Sequence, residues 1–185
     1  MKRIILFLLV AAFGFSGCEK DDICDASIPT TPRLVIDFYD FTNPAVPKNL
    51  TNLKAMGTGA DLPLVFNELL EETDETRYLT NDTRLRLPLK INEDSVQYTL
   101  TLNSGNDVLT STDVIDINYT RLSEYVSRAC GYKTLFKLNP DTNNSDAPFI
   151  INGNPANNSG NWIRNVEIIK SNLETENETH IKIFF

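Results

Sequence analysis

Residues 96–102 read VQYTLTL, and residues 85–91 read LRLPLKI. Apolar and polar side chains alternate in each stretch, which is the pattern of a strand with one buried face and one solvated face. Turn-forming residues separate the two stretches at positions 92–95, so we expect them to pair as a hairpin. Pro88 has no amide hydrogen for a sheet ladder and therefore predicts that its strand lies at a sheet edge or carries a bulge there.

Similar alternation recurs along the rest of the chain. It predicts strands over residues 34–38, 114–119, 132–138, 162–169 and 179–185. The first of these is expected to be half-buried. A long polar loop is predicted over residues 139–160. Residues 62–72 and 119–129 could each form a helical turn, and no longer helix is expected there. Many short strands separated by turns predict an all-β fold: one antiparallel β-sandwich domain, immunoglobulin-like in general architecture.

The composition fits one soluble acidic domain. The 185 residues include 25 acidic and 17 basic side chains, for a net charge of −8, and 41% of them are hydrophobic. That is enough apolar material for one buried core. Nucleic acid is not expected as a partner, because neutralising its phosphates requires clusters of Lys and Arg.

The first residues have the order of a signal peptide. Lys2 and Arg3 precede an apolar stretch over residues 4–15, which is shorter than the roughly 20 residues of a membrane span. Ser16 and Gly17 then precede Cys18 and resemble the lipobox of bacterial lipoproteins, although Leu or Val is usual at the position before Ser16. The resemblance implies cleavage after residue 17 and acylation of Cys18. The alternative is an ordinary secretory peptide in which Cys18 forms a disulfide.

Three residues close to Cys18 suggest a destination. Lys20, Asp21 and Asp22 resemble the lipoprotein export signal of the Bacteroidota, which implies transfer to the outer face of the outer membrane. The alternative is a charged spacer on a lipoprotein of the periplasmic leaflet. We therefore divide the chain into a signal peptide (residues 1–17), a lipidated tether (18–32) and a β-sandwich domain (33–185). Cleavage would remove two basic residues and leave a net charge of −10.

Two cysteines remain once Cys18 is acylated. Cys24 and Cys130 form an even pair in a protein that leaves the reducing cytosol, so a disulfide is expected. It would close a loop of about 105 residues and stabilise the domain through the unfolded state. Two free buried thiols are the alternative. A catalytic cysteine would need a base, and His180 is the one histidine of the chain.

Two segments with acidic side chains are candidate sites. Asp141, Asn143, Ser145 and Asp146 have the oxygen spacing that begins a calcium loop, but glycine is missing at the sixth position and Glu at the twelfth. A solvated loop is preferred, with calcium binding left open. Five acidic residues within positions 68–75 are interpreted as a charged, solvated turn. We therefore predict no catalytic residue, no metal and no cofactor.

Short motifs spread over the chain give it a family likeness. It resembles a family of short Bacteroidota lipoproteins of unknown function, through four stretches: residues 21–24 (DDIC), 30–32 (TTP), 38–40 (FYD) and 128–132 (RACGY). This resemblance covers nearly all of residues 18–185. It implies lipidation and a cysteine pair at Cys24 and Cys130, and it implies no activity.

The sequence therefore predicts a lipoprotein whose partners are the outer membrane, through its anchor, and an unidentified protein or glycan. The preferred function is a non-catalytic binding or accessory module, since sandwich loops provide binding surfaces. The alternatives are a structural or assembly subunit of an outer-membrane complex and, less favoured, a carboxylate-based hydrolase.

Overall fold

Two β-sheets pack face to face through their alternating apolar residues. A computed structural model describes residues 23–24, 30–140, 146–154 and 159–185. In those residues one sheet has four strands and the other has six. The strands are β1 (Leu34–Tyr39), β2 (Lys54–Gly57), β3 (Arg84–Leu87), β4 (Ser95–Leu102), β5 (Ser111–Ser127), β6 (Gly131–Leu138), β7 (Phe149–Ile151), β8 (Asn165–Ile168), β9 (Asn172–Leu173) and β10 (Ile181–Phe184). A short 3-10 helix, Glu75–Tyr78, lies between β2 and β3.

The first sheet has the strand order β3-β1-β10-β8, and the second has the order β2-β4-β5-β6-β9, with β7 also paired to β5. All pairs are antiparallel except β1 with β10. The all-β sandwich is therefore confirmed, and its first sheet is mixed rather than purely antiparallel. The chain ends on a paired strand, because β10 lies between β1 and β8.

One core fills the space between the sheets. On β4 the side chains alternate between buried and partly exposed, as the sequence pattern predicts. The buried residues of both sheets form a single cluster, whose largest members include Leu34, Ile36, Phe38, Leu85, Leu87, Leu100, Ile115, Ile117, Tyr119, Ile181 and Ile183. The two sheets therefore stabilise each other by excluding water from a shared interior.

The predicted hairpin of residues 85–102 is wrong. β3 pairs with β1 in the first sheet, whereas β4 pairs with β2 and β5 in the second. β3 ends just before Pro88, and the chain then crosses from one sheet to the other. Alternation specifies which side chains face inward but not which strand is the neighbour. The expectation that the strand next to Pro88 lies at a sheet edge is confirmed.

Two further expectations need correction. β1 is not half-buried, because Val35 on its outer face is as fully buried as Leu34 and Ile36. Residues 119–127 form no helical turn, because they continue β5 to a total of 17 residues. The apolar alternation fades there because these side chains are exposed on both faces of the strand.

A buried carboxylate joins the two sheets at one end of the sandwich. Asp113 on β5 is 0% exposed. Its Oδ1 accepts hydrogen bonds from the backbone N–H of Asn161 at 2.6 Å and from the Asn152 side chain at 2.8 Å. Its Oδ2 accepts from the backbone N–H groups of Trp162 and Ile163, both at 3.0 Å. The carboxylate therefore fixes the backbone turn that leads into β8.

This turn also places the single tryptophan. The indole of Trp162 is 6% exposed and its Nε1 donates to the carbonyl of Leu100 at 3.3 Å. Its ring lies 6.3 Å from that of Phe38, a core residue of the first sheet. Gly160 passes so close to Asp113 that a Cβ would lie 2.3 Å from Oδ1. No larger residue fits at position 160 without moving the turn.

We expect Asp113→Ala to cost about 3 kcal/mol or more of unfolding free energy, because it removes the acceptor of four hydrogen bonds and leaves the buried N–H groups of Trp162 and Ile163 unpaired. Chemical denaturation measures this cost. Asp116→Ala is the matched control, since Asp116 lies on the other face of β5 and accepts from Gln97. Asp116→Ala should lower the unfolding free energy by no more than about 1 kcal/mol. Equal losses for the two variants would contradict the role assigned to Asp113.

Candidate functional site

The beginning of the chain is covalently joined to the turn between β5 and β6. Cys24 and Cys130 form a disulfide with their Cα atoms 4.8 Å apart and a sequence separation of 106. A second contact lies nearby, where the N–H of Thr134 on β6 donates to Oγ1 of Thr31 at 3.0 Å. The predicted cysteine pairing is therefore present in the structure.

Beyond the sandwich, β5 and β6 continue as a two-stranded ribbon, which we define as residues 122–135. Tyr125 is directly opposite Tyr132 in the antiparallel register. Their rings meet edge to face with centroids 5.4 Å apart, although the residues are 58% and 70% exposed. Leu122, which is 64% exposed, lies opposite Leu135 on the other face. The ribbon therefore presents apolar side chains to solvent on both faces.

A tight turn closes the ribbon at Cys130. The N–H of Cys130 donates to Oγ of Ser127 at 3.0 Å. Gly131 has φ of 68°, in the left-handed region that glycine adopts at little cost. The register shifts between Tyr125 and Ser127, which indicates a bulge at this end of β5. The turn and the bulge together place the Cys130 side chain against the N-terminal segment.

A polar groove runs along the edge strand β3. Its volume is about 340 Å³, and its lining includes three arginines, Arg33, Arg84 and Arg86, and the apolar residues 64–66. Glu68 and Asp82 also line it. The groove therefore combines charged and apolar side chains at an open sheet edge.

Two carboxylates hold the guanidinium groups of the groove. Arg84 donates to Asp37 through two of its guanidinium nitrogens, with Nε–Oδ1 at 2.6 Å and Nη2–Oδ2 at 2.8 Å. Burial would raise the pKa of Asp37, but hydrogen bonds from Arg84 and Thr179 reverse this and lower it. Glu176 accepts from Arg33 at 2.7 and 2.8 Å and lies 3.5 Å from Arg86. Hydrogen bonding to Arg33 lowers the pKa of Glu176.

The acidic stretch at residues 68–75 is divided among structural contacts. Asp74 caps the 3-10 helix by accepting from the N–H of Thr76 at 2.9 Å. Glu75 lies 3.5 Å from Nζ of Lys54, and Glu68 lines the groove beside β3. The interpretation of this stretch as a charged surface turn fits these contacts.

Several predicted site residues lie outside the described residues. These are Cys18, Lys20, Asp21, Asp22 and the calcium-loop candidates of residues 141–145. Asp146 is described, and its carbonyl accepts from the Asn139 side chain at 3.2 Å. Within the described ranges, no group of three or more His, Cys, Asp or Glu side chains is arranged to hold a metal ion.

The one histidine is a packed structural residue. His180 is 0% exposed, and its Nδ1 accepts from the N–H of Val35 at 3.0 Å. The backbone N–H of His180 donates to the carbonyl of Val35 at 3.0 Å, at the start of the parallel pairing of β1 and β10. Burial lowers the pKa of the imidazole, and the smaller effects of Glu178, Lys170, Glu176 and the Thr175 backbone partly offset one another.

Sequence reasoning missed Asp113, the ribbon and the groove. Asp113 had a detectable signal, because it stands two residues before Ile115 and so lies in phase with the inward residues Ile115, Ile117 and Tyr119. A polar residue at an inward position predicts a buried hydrogen-bonded group. The groove had no such signal, since it is assembled from separate segments of the chain.

The fold and these contacts define a disulfide-linked β-sandwich protein whose N-terminal segment is bonded to a projecting ribbon. A family model described as a family of unknown function, DUF6452, matches residues 65–185, and the chain belongs to that family. The matched part includes β3 to β10 and Cys130, and it begins after Cys24, β1 and β2. Comparison with curated proteins and with solved structures finds no match.

We expect Cys24→Ser to lower the melting temperature by several degrees or more. A disulfide that closes a loop of about 100 residues stabilises by up to about 4.7 kcal/mol, and about 1 kcal/mol shifts a domain of this size by roughly 2 to 4 °C. Thermal unfolding followed by circular dichroism measures the shift. Cys24→Ser, Cys130→Ser and the double variant should have the same melting temperature, because each removes the same bond. An unchanged melting temperature in all three would contradict the expectation.

Stability should fall as the pH is lowered from 7.5 to 5.5. The unfolded imidazole gains a proton near pH 6.5, whereas burial keeps His180 neutral in the folded state to lower pH. The contribution of neutral His180 to the free energy of unfolding is therefore fully present above about pH 7. Below pH 6.5 the free energy of unfolding declines by at most about 1.4 kcal/mol per pH unit. Melting temperatures across this range measure the decline.

The matched variant for that experiment is His180→Gln. Because the chain has one histidine, this variant should be less stable at pH 7.5 but nearly independent of pH between 7.5 and 5.5. A pH dependence in His180→Gln as steep as in the parent would show that another group is responsible.

Proposed function

We propose that the protein is an outer-membrane lipoprotein, anchored through acyl chains on Cys18 and exposed at the cell surface, where it serves as a non-catalytic binding or accessory module. The observation that carries this proposal is the order of the first residues. A basic pair, a short apolar stretch and two small residues lead directly to Cys18, and Lys20, Asp21 and Asp22 follow. These features are typical of an acylated and exported chain.

Acyl chains alone would be sufficient for attachment. Each buried methylene contributes about 0.8 kcal/mol, so one chain binds reversibly and two or three bind almost permanently. Among the residues that the structure describes, none forms a helix with the length and apolar character of a membrane span.

The disulfide supports export from the cytosol. Structural disulfides form and persist in oxidising compartments and are rare where thiols are kept reduced. Cys24 lies six residues beyond Cys18, so the bond would also fix the sandwich close to the anchor. An anchor and a disulfide in the same short segment suit a domain held at a membrane surface.

The groove beside β3 supports the binding role. Its arginines are held in place by Asp37 and Glu176, and apolar residues also line it. Positioned polar groups together with apolar surface are what recognition of a peptide or a glycan requires. Because the arginines are matched by neighbouring carboxylates, the groove suits a polar ligand more than a highly charged one.

The proposal is tested by labelling living cells with an alkyne fatty acid and then treating the intact cells with a protease. The parent protein should be labelled and should be cleaved from outside. Cys18→Ala should lose the label and leave the membrane fraction, because no other thiol is expected to be acylated. Replacing Lys20, Asp21 and Asp22 together with alanine should preserve the label but protect the protein from the protease.

Cys24→Ser is the matched control for labelling, since it removes a neighbouring thiol and leaves Cys18 in place. It should be labelled like the parent. Labelled Cys18→Ala would contradict the lipid anchor. A parent protein that is labelled but protected in intact cells would contradict surface exposure and place the protein on the periplasmic leaflet.

A further inference from the structure

The ribbon of residues 122–135 differs in chemistry from the rest of the chain. It carries two basic residues, Arg128 and Lys133, and the single acidic residue Glu124, which lies 3.4 Å from Nζ of Lys133, whereas the whole chain has a net charge of −8. Leu122, Tyr125 and Tyr132 are more than half exposed on it. The ribbon therefore combines a small net positive charge with exposed apolar side chains on an acidic protein.

We infer that the end of this ribbon rests in the headgroup layer of the membrane that holds the anchor, with Tyr125 and Tyr132 at the membrane–water boundary. The inference rests on the proposed acylation of Cys18. It adds a second contact between protein and membrane and thereby gives the sandwich a defined orientation.

The disulfide limits how far the end of the ribbon can lie from the anchor. Residues 19–24 separate Cys18 from the bond and span at most about 21 Å when fully extended. Without the bond, residues 19–34 would separate the anchor from β1 and would allow roughly 56 Å. The bond to Cys130 therefore keeps the ribbon end near the membrane, and Tyr132 is two residues away.

Tyrosine suits this position because its ring is apolar and its hydroxyl remains hydrated, which is why Tyr and Trp concentrate at membrane interfaces. The net positive charge of the ribbon would be attracted to anionic headgroups, where one basic residue near the surface contributes about 1 kcal/mol. An acidic sandwich is repelled by the same surface. The charge distribution therefore favours the ribbon as the part of the domain that meets the lipid.

Exposure of apolar side chains on both faces favours lipid over a protein partner. Leu122 and Leu135 face one side, whereas Tyr125 and Tyr132 face the other. A flat protein surface would cover one face and leave the other in water. A two-stranded end that enters the headgroup layer has both faces in contact with the same environment.

The test uses the acylated full-length mature protein in vesicles of phosphatidylcholine and phosphatidylglycerol, with and without brominated phosphatidylcholine as a fluorescence quencher. Tyr132→Trp places a reporter on the ribbon. Val108→Trp is the matched control, because Val108 is 88% exposed in the turn before β5, at the other end of that strand. The native Trp162 is buried in both proteins and gives a common background.

Brominated lipid should lower the emission of Tyr132→Trp about twofold or more and leave that of Val108→Trp nearly unchanged. Adding Cys24→Ser and Cys130→Ser to Tyr132→Trp should weaken the quenching, because the ribbon end is then no longer bonded close to the anchor. Proteins that float with the vesicles without quenching at either position would overturn the inference and leave the anchor intact. Equal quenching at both positions would also overturn it. A protein that carries no acyl chain and stays off the vesicles would overturn both the anchor and the inference.

Discussion

The bond between Cys24 and Cys130 determines how the sandwich is placed relative to the beginning of its chain. It joins residues 106 positions apart and ties the N-terminal segment to the end of the β5–β6 ribbon rather than to the strand that follows in sequence. In the proposed lipoprotein, this bond would shorten the stretch of chain between the anchor and the sandwich. The orientation of the groove beside β3 relative to a membrane would then depend on the same bond.

Two buried polar residues hold together segments that are distant in sequence. Asp113 accepts four hydrogen bonds from the segments around residues 152 and 161–163, and it thereby positions Trp162 between the sheets. His180 bonds to Val35 through its side chain and its backbone where the parallel pair begins. Each group would be costly if left unpaired in the interior, so each favours one arrangement of strands over its alternatives.

The inward-facing residues of most strands could be predicted because a period of two is visible in the sequence, as in β4. The partner of β3 could not, since alternation is the same whichever strand lies beside it. The disulfide was predictable from the count of cysteines in a chain expected to leave the cytosol, and the structure places both partners within bonding distance. The ribbon was not predictable, because Leu122, Tyr125 and Tyr132 lack the one-sided pattern of a strand that packs on a core. The groove depends on tertiary contacts between β3, Arg33 and residues 64–68, which no local pattern reports.

Intact-mass spectrometry of the protein purified from cell envelopes, with alkylation before and after reduction, tests the central claim most directly. The claim is that one short segment carries both the lipid anchor and the bond that orients the domain. We predict a chain that begins at Cys18, carries acyl groups there, and takes up two alkyl groups only after reduction. A chain with an unmodified Cys18, or one in which Cys24 and Cys130 are alkylated without reduction, would contradict it.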